Sequence, residues 1–180
     1  IINLGNSIQG ENYLNFASME KIFFKGLDQG LNCNYVVYDG ERGDKLIGFR
    51  LTYPPGKWKI DEWCTTDQWG VPPEKVCYFK SNLVAESFRG KGLGSELLNL
   101  SIEKVKQMGA VAGVAHIWAE SPGNSAVKYF NKAGAHFIKS HRSRWLVDCI
   151  LDGYRCIHHG SRCSCTGEEM IIYFGEQENE

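Results

Sequence analysis

Leu83-Val84-Ala85-Glu86-Ser87-Phe88-Arg89-Gly90-Lys91-Gly92-Leu93-Gly94-Ser95 decides how the whole chain is read. The run 76–85 (VCYFKSNLVA) that leads into it is apolar at most positions, as expected of a central strand. Downstream, Leu98, Ile102 and Val105 fall on one face of a helix. The order is therefore strand, glycine-rich loop, helix. The loop lacks the Gly-Lys-Ser/Thr ending of a P-loop, and its glycines are spaced GxGxG where a dinucleotide fingerprint has GxGxxG. What it offers is a run of backbone N–H groups opening a helix, with Arg89 and Lys91 beside them. Those donors and the helix dipole suit a pyrophosphate, and glycine lets the phosphates come close. An ordinary tight turn is the competing reading of the GxGxG taken alone.

Outward from the loop, apolar residues between 9 and 29 recur at helical spacing and predict one or two helices. Strands are expected over 34–39 and 45–53, joined as a hairpin through Asp39-Gly40 and Arg42-Gly43-Asp44. Pro54-Pro55-Gly56 ends the hairpin, and a loop rich in tryptophan and acid follows: Trp58, Asp61, Glu62, Trp63, Asp67 and Trp69. After the central helix, Met108-Gly109 is a stop, 111–119 a buried strand, and 125–132 a short helix ended by Gly134. The last strands are expected over 137–150 and 170–174, and the acidic tail after Gly175 is expected to fray.

The composition bounds the function. With 180 residues, 43% of them apolar, 23% charged and 12% aromatic, the chain fills one core and reads as a single domain, 1–180, with a Cys/His-rich insertion at about 149–167. Twenty Lys and Arg against 21 Asp and Glu leave a net charge of -1, which excludes the basic field of a dedicated nucleic-acid binder. The longest apolar stretch, 110–119, is interrupted by His116 and falls well short of the roughly 20 residues that span a bilayer. No membrane anchor or signal peptide is read, and a cytoplasmic location is expected.

The segment Leu83 to Gly94 resembles motif A of the GNAT superfamily of acyl-CoA-dependent N-acyltransferases, Arg/Gln-x-x-Gly-x-Gly/Ala after a central strand, with Arg89, Gly92 and Gly94 at its three positions. Asn124-Ser125-Ala126-Val127-Lys128-Tyr129-Phe130-Asn131-Lys132-Ala133-Gly134 is similar to the family's second motif, an Asn-started helix carrying an aromatic residue. The resemblance implies an α/β fold whose mixed central sheet is splayed between its fourth and fifth strands, with helices on both faces and acyl-CoA in the cleft. A first strand, if present, would lie at or before Ile1-Ile2-Asn3. By position, the backbone of Leu83 and Val84 would pair with pantetheine. Arg89, Gly90, Lys91, Gly92, Leu93, Gly94 and Ser95 would hold the pyrophosphate, and Asn124 and Phe130 would line the far side of the arm.

Acyl transfer needs a neutral amine, a polarised carbonyl and an acid for the leaving thiolate. Many family members place a Tyr on the second-motif helix as that acid. Counting back from Gly134 puts the position on Phe130, with Tyr129 one residue earlier, so Tyr129 is either the acid or a buried structural tyrosine. Glu120, just beyond the strand 111–119, is the candidate base, against the alternative of a solvated strand-end charge; His116 reads first as a satisfied core imidazole. The tryptophan loop either tacks down a surface or holds an aromatic or cationic amine.

Seven cysteines are an odd number, with Cys149, Cys156, Cys163 and Cys165 clustered late around His158 and His159. Those four cysteines are the candidate ligands of a structural zinc, with one disulfide or free thiols as the alternatives. The co-substrate implied is acetyl-CoA or another acyl-CoA, and the acceptor is a primary amine of a small molecule or peptide. A long-chain N-acyl amino acid synthase fed by acyl carrier protein or acyl-CoA, and a non-catalytic acyl-CoA-binding module, stand as alternatives. The oligomeric state is left open, a homodimer included.

Overall fold

The computed structural model describes residues 1–40, 43 and 45–175. Its elements run α1 (Ile2–Gln9), β1 (Gly10–Glu11), α2 (Phe16–Lys25), β2 (Leu27–Asp28), β3 (Leu31–Asn32), β4 (Tyr35–Tyr38), β5 (Leu46–Tyr53), β6 (Val76–Val84), α3 (Leu93–Gln107), β7 (Ala112–Trp118), α4 (Ser125–Lys132), β8 (His136–His141), α5 (Leu146–Leu151), β9 (Arg155–Cys156) and β10 (Gly167–Tyr173). Six strands form one mixed sheet in the order β4-β5-β6-β7-β10-β8. Every pairing in it is antiparallel except β6 with β7.

That parallel pair makes the fold. Val76, Cys77 and Tyr78 face Ala112, Gly113 and Val114, and beyond them β6 and β7 part. Gly113 marks the crossing, since a Cβ there would sit 2.3 Å from the Phe79 ring and 2.7 Å from the Cys77 sulfur. On its other side β6 stays paired with β5 up to Val84, with one irregularity: Leu51 faces Ser81 and Thr52 faces Phe79, leaving Lys80 as the extra residue of a bulge.

Alternation sends the sheet's side chains into two layers. On one face, Leu98 and Val105 of α3 and Phe130 of α4 pack against Cys77, Phe79, Ala115, Met170 and Ile172. On the other, α1 and α2 deliver Leu4, Ile8 and Ile22 onto Phe49, Leu51 and Leu83. Beside them the loop 54–75 lays Trp69 over Val76, Ala112, Val114 and Ile171. α2 starts where Asn15 and Ser18 cap each other's backbone N–H groups.

The tryptophan loop is held by one carboxylate. Glu169 of β10 is fully buried. Its Oε1 accepts from the Thr65 amide and the Trp69 indole, each at 2.8 Å, and its Oε2 accepts from the Thr65 hydroxyl at 2.7 Å and His141 Nε2 at 2.9 Å. Burial pushes the Glu169 pKa up, but hydrogen bonds from His141 and Thr65 outweigh it and hold the carboxyl below its ordinary range. Trp58 adds a bond from its indole to the Val76 carbonyl at 2.9 Å.

The structure corrects two expectations. Residues Ile1-Ile2-Asn3 open helix α1, so no first strand lies there. The strand expected over 137–150 ends at His141, Ser143 turns with φ 54°, and the apolar run that follows is α5. Short apolar runs do not distinguish strand from helix, and here the turn decided. The hairpin's Arg42 and Asp44 and the tail 176–180 lie outside the described residues.

Replacing Glu169 by Ala leaves the Trp69 indole, His141 and Thr65 donors without their acceptor. A loss of about 3–5 kcal/mol in unfolding free energy is expected, read as a lowered urea midpoint.

Candidate functional site

The glycine-rich loop is built as its sequence requires. A 3-10 turn over Glu86–Phe88 ends β6, Arg89 is extended, and Gly92 takes φ +84° as the left-handed residue before Leu93 opens α3. The Glu96 amide donates to the Gly92 carbonyl at 3.1 Å. The amides of the turn before it point out of the helix N-terminus, where the dipole favours an anion. Gly90, Lys91 and Gly92 are exposed. Arg89 folds back so that its Nε donates to the Val84 carbonyl at 3.1 Å, closing the end of β6 beside Leu83 and Val84.

Beyond Tyr78, the edge of β6 that faces β7 has no strand paired to it among the described residues, and this edge leads straight to the loop. Across the gap stands α4, entered through Asn124 in a left-handed conformation (φ 54°). Its two adjacent aromatics point different ways. Phe130 is buried edge-on against Phe79, with ring centroids 6.0 Å apart. Tyr129 instead reaches the start of α3, where its hydroxyl donates to the Gly94 carbonyl at 2.8 Å and receives Arg50 Nη1 at 3.5 Å. Burial pushes Tyr129 up to about 12, partly opposed by Arg50, so the phenol holds its proton at neutral pH. Arg50 is itself buried, its guanidinium 4.4 Å from the Phe79 ring centroid.

On the opposite face, beside the parting strands, lie Tyr78 of β6 and His116 of β7. His116 Nε2 donates to the Trp63 carbonyl at 2.7 Å, and Nδ1 accepts from the Tyr78 hydroxyl at 3.2 Å. Burial pushes the imidazole down to about 4, with the Trp63 bond opposing in part. The Tyr78–His116 pair escapes a sequence reading that treats His116 alone; the signal available was that both alternate to the face opposite Cys77 and Ala115. Glu120 lies at the exit of β7, where both its oxygens accept the Thr166 amide at 3.0 Å. The tryptophan loop is packed down: Trp69 is buried and Trp58 stacks on Tyr78 with centroids 4.9 Å apart.

The late cysteines converge, with one exchange. Cys156, Cys163 and Cys165 meet His159, their ligand atoms all within 4.8 Å of one another. Cys149 is not of that group; its thiol, on α5, is directed at the Gly160 carbonyl at 3.7 Å. His159 replaces it because the turn after β9 brings residue 159 back over Cys156.

Among the described residues no helix is long and apolar enough to cross a membrane. Three solved structures illustrate the likeness of fold. A chain of the NatC complex bound to Gag peptide and CoA is 14% identical with a TM-score of 0.67, over 97% of this chain and 88% of that one. The IAA acetyltransferase from Bacillus cereus is 16% identical with a TM-score of 0.62, over 96% and 91%. The ribosomal-protein-alanine N-acetyltransferase from Brucella melitensis is 13% identical with a TM-score of 0.63, over 96% and 90%. No curated protein sequence matches significantly.

The pKa of His116 has a consequence for stability. An unfolded histidine titrates near about 6.5. Between that pH and about 4 the unfolded chain binds a proton that the folded chain refuses. Stability is therefore expected to fall as pH drops from about 7 toward about 5, and His116→Gln to flatten that slope in calorimetric melts.

The acetyltransferase (GNAT) family model matches residues 9–135, which take in the parted strands, the loop and α4, and the chain belongs to that family.

Proposed function

We propose that this acetyltransferase moves an acetyl group from acetyl-CoA to a primary amine. The observation that carries the reading is the continuity of three features: the unpaired edge of β6, the glycine loop, and the free amides at the start of α3. An extended pantetheine arm adds to the strand edge at Leu83 and Val84, and its pyrophosphate then arrives where the amides of Gly90 to Ser95 converge, with Arg89 and Lys91 beside it. Asn124 and Phe130 form the far wall. The rings of Phe130, edge-on to Phe79, and of Phe174, tilted against it, fill the space behind the gap, which supports a short acyl group over a long chain.

The amine attacks the thioester carbonyl, the C–S bond breaks, and the thiolate takes a proton. Tyr129 is the proposed acid, since its phenol is protonated at neutral pH and no hydroxyl exists at Phe130. The proton lost by the amine passes to a base at the opposite mouth of the gap. Tyr78 is the proposed relay: its oxygen takes the amine proton as its own proton passes to His116 Nδ1, the acceptor it already faces. The peptide named with one similar structure and the ribosomal-protein acceptor named with another support a peptide amine.

Two variants test the reading. Gly92→Val forces a β-branched residue into a left-handed conformation and is expected to weaken CoA binding about 100-fold or more in calorimetry, with the far-ultraviolet spectrum kept. Tyr129→Phe is expected to lower kcat by about 100-fold while CoA affinity changes by less than about threefold. Wild-type CoA affinity in folded Gly92→Val removes the loop from the site. An unchanged kcat in Tyr129→Phe with weakened CoA binding makes Tyr129 a support of α3. Tight acetyl-CoA binding with no turnover across an amine panel identifies a binding module.

A further inference from the structure

The insertion between β8 and β10 lies outside the six-stranded sheet. From 152 to 166 it contains only the two residues of β9, and stretches of that length without regular structure need something to hold them. Four potential ligands meet inside it. Cys156 Sγ and Cys165 Sγ are 3.6 Å apart, Cys165 Sγ and His159 Nδ1 are 3.3 Å, and Cys156 Sγ and His159 Nδ1 are 3.9 Å. A tetrahedral zinc ion with Zn–S of about 2.3 Å and Zn–N of about 2.0–2.1 Å sets its ligands roughly 3.5–3.8 Å apart. The three sulfurs are buried, while the imidazole is on the outside. Trp118 packs against the cluster, and its buried indole N–H has no hydrogen-bond partner among the described residues.

We propose that Cys156, His159, Cys163 and Cys165 bind one structural Zn(II) ion, in the pattern C-x2-H-x3-C-x-C, and that this ion clasps the insertion onto the turn between α1 and α2. Binding displaces three thiol protons to solvent and leaves a site of net charge -1. The clasp is a direct mechanical link. Cys156 pairs with Gly10, and Arg155 with Glu11, in the ladder of β9 with β1. Gly10 has φ +122°, and a Cβ on it would lie 2.0 Å from the Arg155 carbonyl oxygen, so the two backbones are in closest approach beside the ligand. Tyr154 donates to the Gln9 carbonyl at 2.8 Å, and Tyr13, in the same turn, donates to Ser81 of β6 at 2.7 Å. The ion thus anchors a wall that stands opposite α3 and α4, on the side of the gap that the acyl donor leaves open.

A second group, His116, His141 and Glu169, also gathers ligand atoms within 4.8 Å. It is a different case. Both Glu169 oxygens, both His116 nitrogens and His141 Nε2 are engaged in hydrogen bonds that hold the tryptophan loop.

The test uses the whole chain purified with neither chelator nor added metal, and does not depend on turnover. About one equivalent of zinc per chain is expected by elemental analysis. Exchange into Co(II) is expected to give the intense visible bands of a tetrahedral thiolate site with thiolate-to-cobalt charge transfer. Cys149→Ser is expected to keep the full equivalent and Cys163→Ser to lose most of it. Chelation is expected to lower Tm by at least several degrees and leave CoA affinity within about twofold, because the loop at Gly92 is on the other face. If Cys163→Ser does not fold, the cobalt spectrum of the wild-type chain decides. Less than about a tenth of an equivalent of metal, with a mass two units low for a bridge, overturns the proposal in favour of a disulfide. Weak octahedral cobalt bands, or equal metal loss in Cys149→Ser, overturn the ligand set.

Discussion

A parallel strand pair that parts after three residues leaves backbone donors and acceptors facing a gap, and buried backbone groups must find partners. The rest of the molecule is arranged around that requirement. Gly113 permits the crossing of Cys77 and Phe79 over β7, the bulge at Lys80 lets β6 bend away while it stays paired to β5, and α4 stands across the opening. The gap therefore has one wall of free strand edge and one of helix. In the proposed function, an extended amide-bearing arm joins that edge and supplies the missing ladder.

The two faces of the sheet divide the work. On the α3 and α4 side the packing is aromatic and aliphatic, broken by Arg50 and Tyr129, which tie the helix start to α4. On the other side the order comes from polar groups. Glu169 gathers four donors from three residues on two separate segments of chain, and the energy of that cluster lies in its completeness: each donor is satisfied only while the carboxylate is present and ionised. His116 joins it through Trp63, so the tryptophan loop and the mouth of the gap share one network. The insertion gathers a third set of groups, cysteine sulfurs and an imidazole, with Trp118, Trp145 and Tyr154 packed against the cysteines.

Much of the fold was legible from short-range pattern. The strand, loop and helix around Gly92 follow from residues within about a dozen positions of one another, and helix α4 was bounded at Ser125 and Lys132 by its own apolar spacing and Gly134. The misreadings were also local: α1 went unseen though Ile1, Leu4 and Ile8 stand at helical spacing, and α5 was read as strand because its apolar run is short. At the site, the register of Tyr129 and Phe130 was ambiguous by one residue on the sequence, and a turn of roughly 100° between neighbours sent one ring into the core and the other to Gly94.

Residue types at fixed short spacings determine the glycine-rich loop, the helix it opens, the central strand before it and the clustering of late cysteines. Tertiary structure alone decided that His159, not Cys149, completes the four-ligand group, that Tyr78 meets His116, and that Glu169 gathers Thr65, Trp69 and His141. Those groupings join residues whose separation along the chain carries no geometric information. A side chain's direction follows from its own backbone, but which distant side chain it meets follows from the path of the chain between them, and that path is set by the packing of the whole sheet.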